Sequence, residues 1–143
     1  MYQEKKIAII IPCYNVAKFI VKVIETLPDF VDFIVAVDDK CPNNSGKIVQ
    51  EYFKDNTKVY IAFHKKNQGV GGAVMTGYQK ALELGADILI KMDGDGQMDP
   101  KYLNNLVQPI VSNKADYTKG NRFSNLKALK SMPKVRLFGN SVL

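Results

Sequence analysis

Two carboxylates separated by one glycine, in Asp93-Gly94-Asp95-Gly96-Gln97, are the side chains of this 143-residue chain best suited to chemistry. They follow the apolar run Ile88-Leu89-Ile90, so a strand should end where they begin. There the oxygens of Asp93 and Asp95, with Gln97 as a further donor, can turn to one point and hold a hard cation, Mg2+ or Mn2+. The intervening glycines permit the tight backbone this needs. A calcium-binding EF-hand loop would require glycine at Met98 and glutamate at Asn104, and the chain has neither. An ordinary acidic turn explains Asp99, as an N-cap before Pro100, but not the other two aspartates.

Three further segments carry polar groups of the right kind. Asn67-Gln68-Gly69-Val70-Gly71-Gly72 opens a helix-like stretch, where amides at the positive end of the helix dipole can approach a phosphate or the polar edge of a nucleotide. Asp38-Asp39 closes an apolar run; it can cap a turn, or accept a hydrogen bond from a base N–H or a ribose hydroxyl. Asn121-Arg122 offers a fixed positive fork suited to phosphate, or to a surface salt bridge. Two better-known phosphate motifs are missing. The dinucleotide fingerprint would need glycine at Val74, and a P-loop would need glycine at Cys41 and Ser or Thr at Ile48.

The elements that must position these groups alternate. Lys6 to Pro12 reads as a buried strand, followed by a helix through Phe19, Ile20, Val23, Ile24 and Leu27. Phe33 to Val37 is a second strand, followed by a helix to about Phe53, and Val59 to Phe63 a third. Val70 to Gly85 is helical, Asp87 to Met92 a fourth strand, Pro100 to about Ser112 a fourth helix, and Ala115 to Lys119 a fifth strand. Such alternation predicts a single α/β domain over residues 1–143, with a mostly parallel sheet covered on both faces. Ligands bind such sheets at the carboxyl ends of the strands, where the polar segments fall.

Composition narrows the class further. The 46% hydrophobic and 24% charged content fits a globular domain. No stretch is long and apolar enough to span a bilayer. No secretory signal is evident, so a cytosolic setting is expected. Cys13 and Cys41 lack metal-site spacing and are expected to be reduced structural thiols. His64, the single histidine, makes a Ser-His triad unpromising and reads as a surface or partly buried residue. The net charge of +6 is confined to the C-terminal segment from about residue 119. Without Lys119, Arg122, Lys127, Lys130, Lys134 and Arg136, the remaining basic residues only balance the 14 acidic ones. Such a cluster suits phosphates, an anionic membrane surface or nucleic acid, or is simply a solvated face.

Together these segments resemble family 2 glycosyltransferases of the GT-A fold, in the branch of dolichol-phosphate mannosyltransferases and other polyprenyl-phosphate glycosyltransferases. Ile10-Ile11-Pro12-Cys13-Tyr14-Asn15 is similar to the opening I-P-x-Y-N segment of the family, and Val37-Asp38-Asp39 to its V-D-D. Asn67 to Ala73 is similar to N-x-G-x-G-G-A, Asp93 to Gln97 to D-x-D-x-Q, and Gly120-Asn121-Arg122-Phe123 to G-S-R-[YF]. The resemblance implies a Rossmann-like three-layer α/β/α domain that takes sugar, with inversion, from a UDP or GDP donor to a polyprenyl-phosphate or saccharide acceptor.

By the same resemblance Pro12, Tyr14, Asn15, Asp38, Asp39, Asn67, Gly69, Gly71, Gly72 and Asp93 bind the nucleotide. Asp93, Asp95 and Gln97 hold Mg2+ or Mn2+, and Asp95 and Arg122 are catalytic. The basic segment is expected to meet the cytoplasmic face of a membrane, with no nucleic acid involved. Lys40-Cys41-Pro42-Asn43-Asn44-Ser45 departs from the G-S or N-S that follows V-D-D in the family and leaves the base open. Family members continue well beyond this length, so the chain is read as C-terminally truncated, with Met132 to Arg136 beginning a membrane-facing helix. A nucleotidyltransferase is the rival enzyme, but it would need a glycine- and lysine-rich loop where Pro12-Cys13-Tyr14-Asn15 stands. A non-catalytic binder of nucleotide sugars or nucleic acid is the other alternative.

Overall fold

The computed structural model describes residues 2–120. Its elements run β1 (Ile7–Cys13), α1 (Ile20–Glu25), β2 (Phe33–Asp38), α2 (Ser45–Tyr52), β3 (Val59–Phe63), α3 (Gly69–Glu83) and β4 (Ile88–Lys91). A 3-10 turn over Pro100–Tyr102 then leads into α4 (Leu103–Val111). The four strands form one sheet in the order β3-β2-β1-β4, and every neighbouring pair is parallel.

β1 lies inside the sheet because its sequence suits no other place. Ile7, Ala8, Ile9, Ile10 and Ile11 are fully buried, as a strand covered on both faces requires. Alternate residues serve alternate layers. Ile9 and Ile11 pack with Ile20, Val23 and Ile24 of α1, Val49 of α2 and Leu103 of α4. Ala8 and Ile10 face the other way, onto Ala73 and Ala81 of α3. Each buried isoleucine contributes about 1.5–3 kcal/mol by leaving water. The three-layer α/β/α arrangement is thus present: α1, α2 and α4 on one face, α3 on the other.

α3 approaches β1 closely. A Cβ built on Gly77 would stand 2.3 Å from Cγ2 of Ile10. The small residues Ala73, Gly77 and Ala81, four apart on one helical face, make this approach possible.

One element departs from expectation. Ala115 to Lys119 forms no strand. A strand needs a laddered neighbour, and no described residue pairs with this segment; instead Thr118 donates its hydroxyl hydrogen to the Leu106 carbonyl (2.8 Å), tying the segment to α4. Arg122 and the basic residues from Lys127 onward, including the Met132 to Arg136 segment, lie outside the described residues. Among the described residues no helix is long and apolar enough to cross a membrane.

Gly77→Ala should destabilise the fold by about 1–3 kcal/mol, because overpacking against Ile10 outweighs the better helix propensity of alanine. Ile10→Ala in the same chain should recover part of that loss. Urea denaturation of the two single variants and the double variant checks this; strictly additive losses would show that the contact does not limit the packing.

Candidate functional site

Because all four strands are parallel, their carboxyl ends share one edge. The chain passes from β1 through β2 to β3 on one side and then returns to β4 on the other. The order therefore reverses between β1 and β4, and such a switch point opens a crevice beyond the strand ends. Pro12, which can donate no backbone hydrogen bond, falls in β1 beyond the last β1–β4 pair, Ile10 with Lys91. Tyr14 follows, half exposed, and then Asn15 in the left-handed region at φ 57°.

Asp38 and Asp39, at the end of β2, are both buried. Asp38 turns inward: Oδ1 accepts from the Cys41 amide (2.7 Å) and Oδ2 from the Gly46 amide (2.8 Å). It thereby ties the connecting loop and the start of α2 to β2. Gly46 must be glycine for this, since a Cβ would lie 2.6 Å from the Asp38 Cβ.

Asp39 turns toward α3. Its Oδ1 accepts from the Gln68 amide (2.8 Å) and pairs with Nδ1 of His64 (2.7 Å). Nε2 of the same imidazole lies 2.8 Å from the Thr76 hydroxyl. Burial pushes the Asp39 carboxyl up, but the Gln68 amide, His64 and the Gly69 amide together hold it below the ordinary carboxylate value.

Asn67 locks the turn into α3. Its side-chain amide donates to the Asp39 carbonyl (3.1 Å), and its Oδ1 accepts from the Gly69 amide (3.1 Å). Gly69 has a φ of 76°, and at Gly72 a Cβ would collide with the Gln68 side chain at 2.5 Å. At Gly71, among the described residues, nothing beyond its chain neighbours and the backbone of its own helix lies within 4 Å of the built Cβ.

Across the switch point stands the loop after β4. The Met92 amide donates to the Ile10 carbonyl (2.9 Å). A Cβ on Gly94 would press on Ile20, Ile11 and Val16 at 3.1–3.2 Å, so this glycine seats the loop against β1 and α1. Asp93 is about one-third exposed and pairs with Lys91. Oδ1 of Asp95 accepts from the Gln97 amide (3.0 Å). Asp99 caps the following 3-10 turn through the Lys101 amide (3.0 Å), as expected of an N-cap.

The structure therefore brings Asp39, Asn67 and the start of α3 into direct contact, and sets Asp93, Asp95 and Gln97 in one loop. No hydrogen bond joins the two groups among the described residues. They share the edge through β1, whose Cys13 carbonyl accepts from the Asp39 amide (3.2 Å). No cluster of three or more His, Cys, Asp or Glu able to hold a metal occurs among the described residues. Two carboxylates nonetheless fit Mg2+, which is commonly held by one or two carboxylates with substrate phosphates and water completing its shell.

Three partners were not legible in the sequence. His64 is partly buried, one of the two expected settings, but it also links Asp39 to Thr76, a role hidden because those residues are distant in sequence. Lys91 continues an apolar strand and looks unremarkable until it is found on Asp93. Cys41 receives hydrogen bonds at sulfur from the Asn15 amide (3.3 Å) and faces the Ser45 hydroxyl (3.1 Å). Burial raises the Cys41 thiol, but these contacts with Ser45 and Asn15 bring it below the ordinary value. Cys13 differs: burial, with the nearby charges of Asp38 and Cys41, pushes its thiol up to about 12. Both cysteines are free, as expected, and both are buried.

Asp39 has a depressed native pKa. Its charge therefore stabilises the fold fully above the unfolded value of about 3.9, and that contribution is lost as pH falls through the lower native value. The stability gap between wild type and Asp39→Asn should accordingly be widest near neutrality and narrow below about pH 4. Urea titrations at pH 7, 4 and 3 check it, and a gap independent of pH would show that the charge contributes nothing.

The sequence model described as Glycosyl transferase family 2 matches residues 8–142. The chain is 39% identical to UDP-N-acetylglucosamine--dolichyl-phosphate N-acetylglucosaminyltransferase of Methanococcus voltae, over 96% of this chain and 60% of that protein. It is 29% identical to undecaprenyl-phosphate mannosyltransferase of Micrococcus luteus, over 82% of this chain and 48% of that one. The chain thus spans about half to three-fifths of these relatives' lengths. Among solved structures, mannosyl-3-phosphoglycerate synthase from Rubrobacter xylanophilus superposes with a TM-score of 0.51 at 17% identity, covering 75% of this chain and 36% of that one. That likeness bears on fold alone, and it agrees with the GT-A arrangement. With the family's pattern spanning nearly the whole chain on a sheet of the matching type, this protein belongs to glycosyltransferase family 2.

Proposed function

We propose that this chain carries the donor-binding half of a glycosyltransferase that moves a sugar from a nucleoside diphosphate, UDP or GDP, to a polyprenyl phosphate. The observation that carries the reading is the placement of two polar groups on either side of one switch point. One is the Asp39–Asn67–α3 assembly and the other the Asp93–Asp95 loop. The printed names of two relatives, one a dolichyl-phosphate and one an undecaprenyl-phosphate enzyme, support the acceptor class.

In this reading the base and ribose lie toward Tyr14, Asn15 and Asp39. The diphosphate crosses the start of α3, where the open space at Gly71 leaves backbone amides approachable. Asp93 and Asp95, with Gln97, would hold Mg2+ or Mn2+; such an ion supplies charge neutralisation for the departing nucleoside diphosphate. An oxygen of the acceptor phosphate attacks the anomeric carbon as the bond to the diphosphate breaks on the opposite side. That acceptor is already anionic and needs no general base. Arg122 would meet phosphate, and the basic segment from about residue 119 would hold the acceptor near the cytoplasmic face of a membrane. Lys91 competes with such a cation for Asp93, since its ammonium holds Oδ1 of that carboxylate.

Thermal-shift titration with UDP- and GDP-sugars, with and without Mn2+, tests the reading. One nucleotide class should stabilise the chain by about 2.7 kcal/mol at a hundredfold excess over its dissociation constant, and only with the cation. Asp95→Ala should abolish that metal-dependent part. Equal shifts with and without Mn2+ would contradict the metal assignment. Lys91→Met, by removing the competing ammonium, should tighten Mn2+ binding measured calorimetrically without nucleotide. Weaker binding would show that Lys91 does not compete for Asp93.

A further inference from the structure

The donor-site reading assigns no task to His64, although its imidazole is one of the most thoroughly engaged side chains at the strand ends. The side chain is 6% exposed. Its backbone amide donates to the Asp38 carbonyl (2.8 Å), fixing it at the exit of β3. The ring spans from Asp39 on one side to Thr76 on the other, the latter lying within α3, seven residues after Gly69. Hence three elements that arrive at the edge separately are joined through one ring.

The ring's hydrogen placement follows from its partners. An ionised carboxylate only accepts, so Nδ1 carries a hydrogen and donates it to Asp39. In the neutral ring Nε2 is then an acceptor, and the Thr76 hydroxyl donates to it. Oδ1 of Asp39 is shared between this imidazole and the Gln68 amide, the last residue before α3. Turning the ring would therefore shift the carboxylate and the helix start together.

We propose that His64 is a positioning residue for nucleotide recognition: it aims the Asp39 carboxylate and, through Thr76, holds the amide-bearing start of α3 at a fixed distance from it. This rests on the donor-site reading and deepens it. His64 need not touch the ligand. It makes the base-side and phosphate-side contacts one rigid unit, so affinity depends on its donor to Asp39 more than on the ring's bulk.

Two amide substitutions separate the ring's halves. His64→Asn places a side-chain nitrogen near the Nδ1 position and keeps the donor to Asp39 without reaching Thr76. His64→Gln reaches the Nε2 position and removes the ring's donor from Asp39, leaving the carboxylate to the Gln68 amide. Binding of UDP and of GDP in the presence of Mn2+ is measured by calorimetry on the whole chain, with urea stability measured in parallel. Removing one of the donors that aim this buried carboxylate should weaken binding of the favoured nucleotide about tenfold or more in His64→Gln, while His64→Asn stays within about threefold of wild type. In wild type, the 15N signals of His64 should show the Nδ1–H tautomer and shift on nucleotide addition. Equal affinity losses in both variants that follow their stability losses would make His64 a structural pin and overturn the role. Unchanged affinity in His64→Gln would overturn it too, leaving the donor site intact. A wild-type chain that binds neither nucleotide would overturn the donor-site reading and this role with it.

Discussion

The arrangement depends on β1 being buried on both faces and paired on both edges. Its backbone supplies carbonyls to both sides of the site: Cys13 receives the Asp39 amide, and Ile10 receives the Met92 amide. Two loops about fifty residues apart in sequence are thereby referred to the same rigid strand. The close seating of α3 on Ile10 through Gly77 extends that reference to the helix whose first turn faces the strand ends. A shift of β1 would displace the polar groups of both loops, which is why the least polar segment of the chain governs this polar edge.

The two sides of the edge are built on opposite electrostatic principles. On the β2 side the aspartates are buried and their charge is absorbed by backbone amides and one imidazole. Charge-assisted hydrogen bonds of this kind are strong, and leaving one unmade is costly. They give preorganisation, a fixed carboxylate and a fixed helix start. On the β4 side Asp93 and Asp95 stay partly in water, with the partly exposed Lys91 as counter-charge to Asp93. A surface pair of that sort is worth little and is easily exchanged. The β2 side is thus fixed by buried charge-assisted hydrogen bonds, and the β4 side is held by a partly exposed pair.

The adjacent aspartates Asp38 and Asp39 show how neighbours in sequence acquire different duties. Successive residues of an extended chain point to opposite faces. Asp38 therefore meets the start of α2 on one face, where it closes the loop through Cys41 and Gly46. Asp39 meets α3 on the other. The Lys40 to Ser45 segment, which departs from the family pattern, is the loop Asp38 holds. Its Cys41 thiol sits beneath Asn15 as part of the same hydrogen-bonded floor.

Much of the fold was readable from the chain. Apolar runs such as Ile7 to Ile11 and helical stripes such as Ala73 and Ala81 report local geometry, and their alternation implies parallel strands whose ends coincide. The Ala115 to Lys119 segment was misread because β-propensity says nothing about whether a pairing partner exists. The sequence alone determined which segments carry polar groups and that they meet at one edge, since strand direction follows from βαβ connectivity. Only the tertiary structure decided which of those groups are already engaged: Asp38 with amides, Asp39 with His64 and Gln68, Asp93 with Lys91. Hydrogen-bond partners are chosen by proximity across dozens of residues, and proximity is created by packing, which no local pattern encodes.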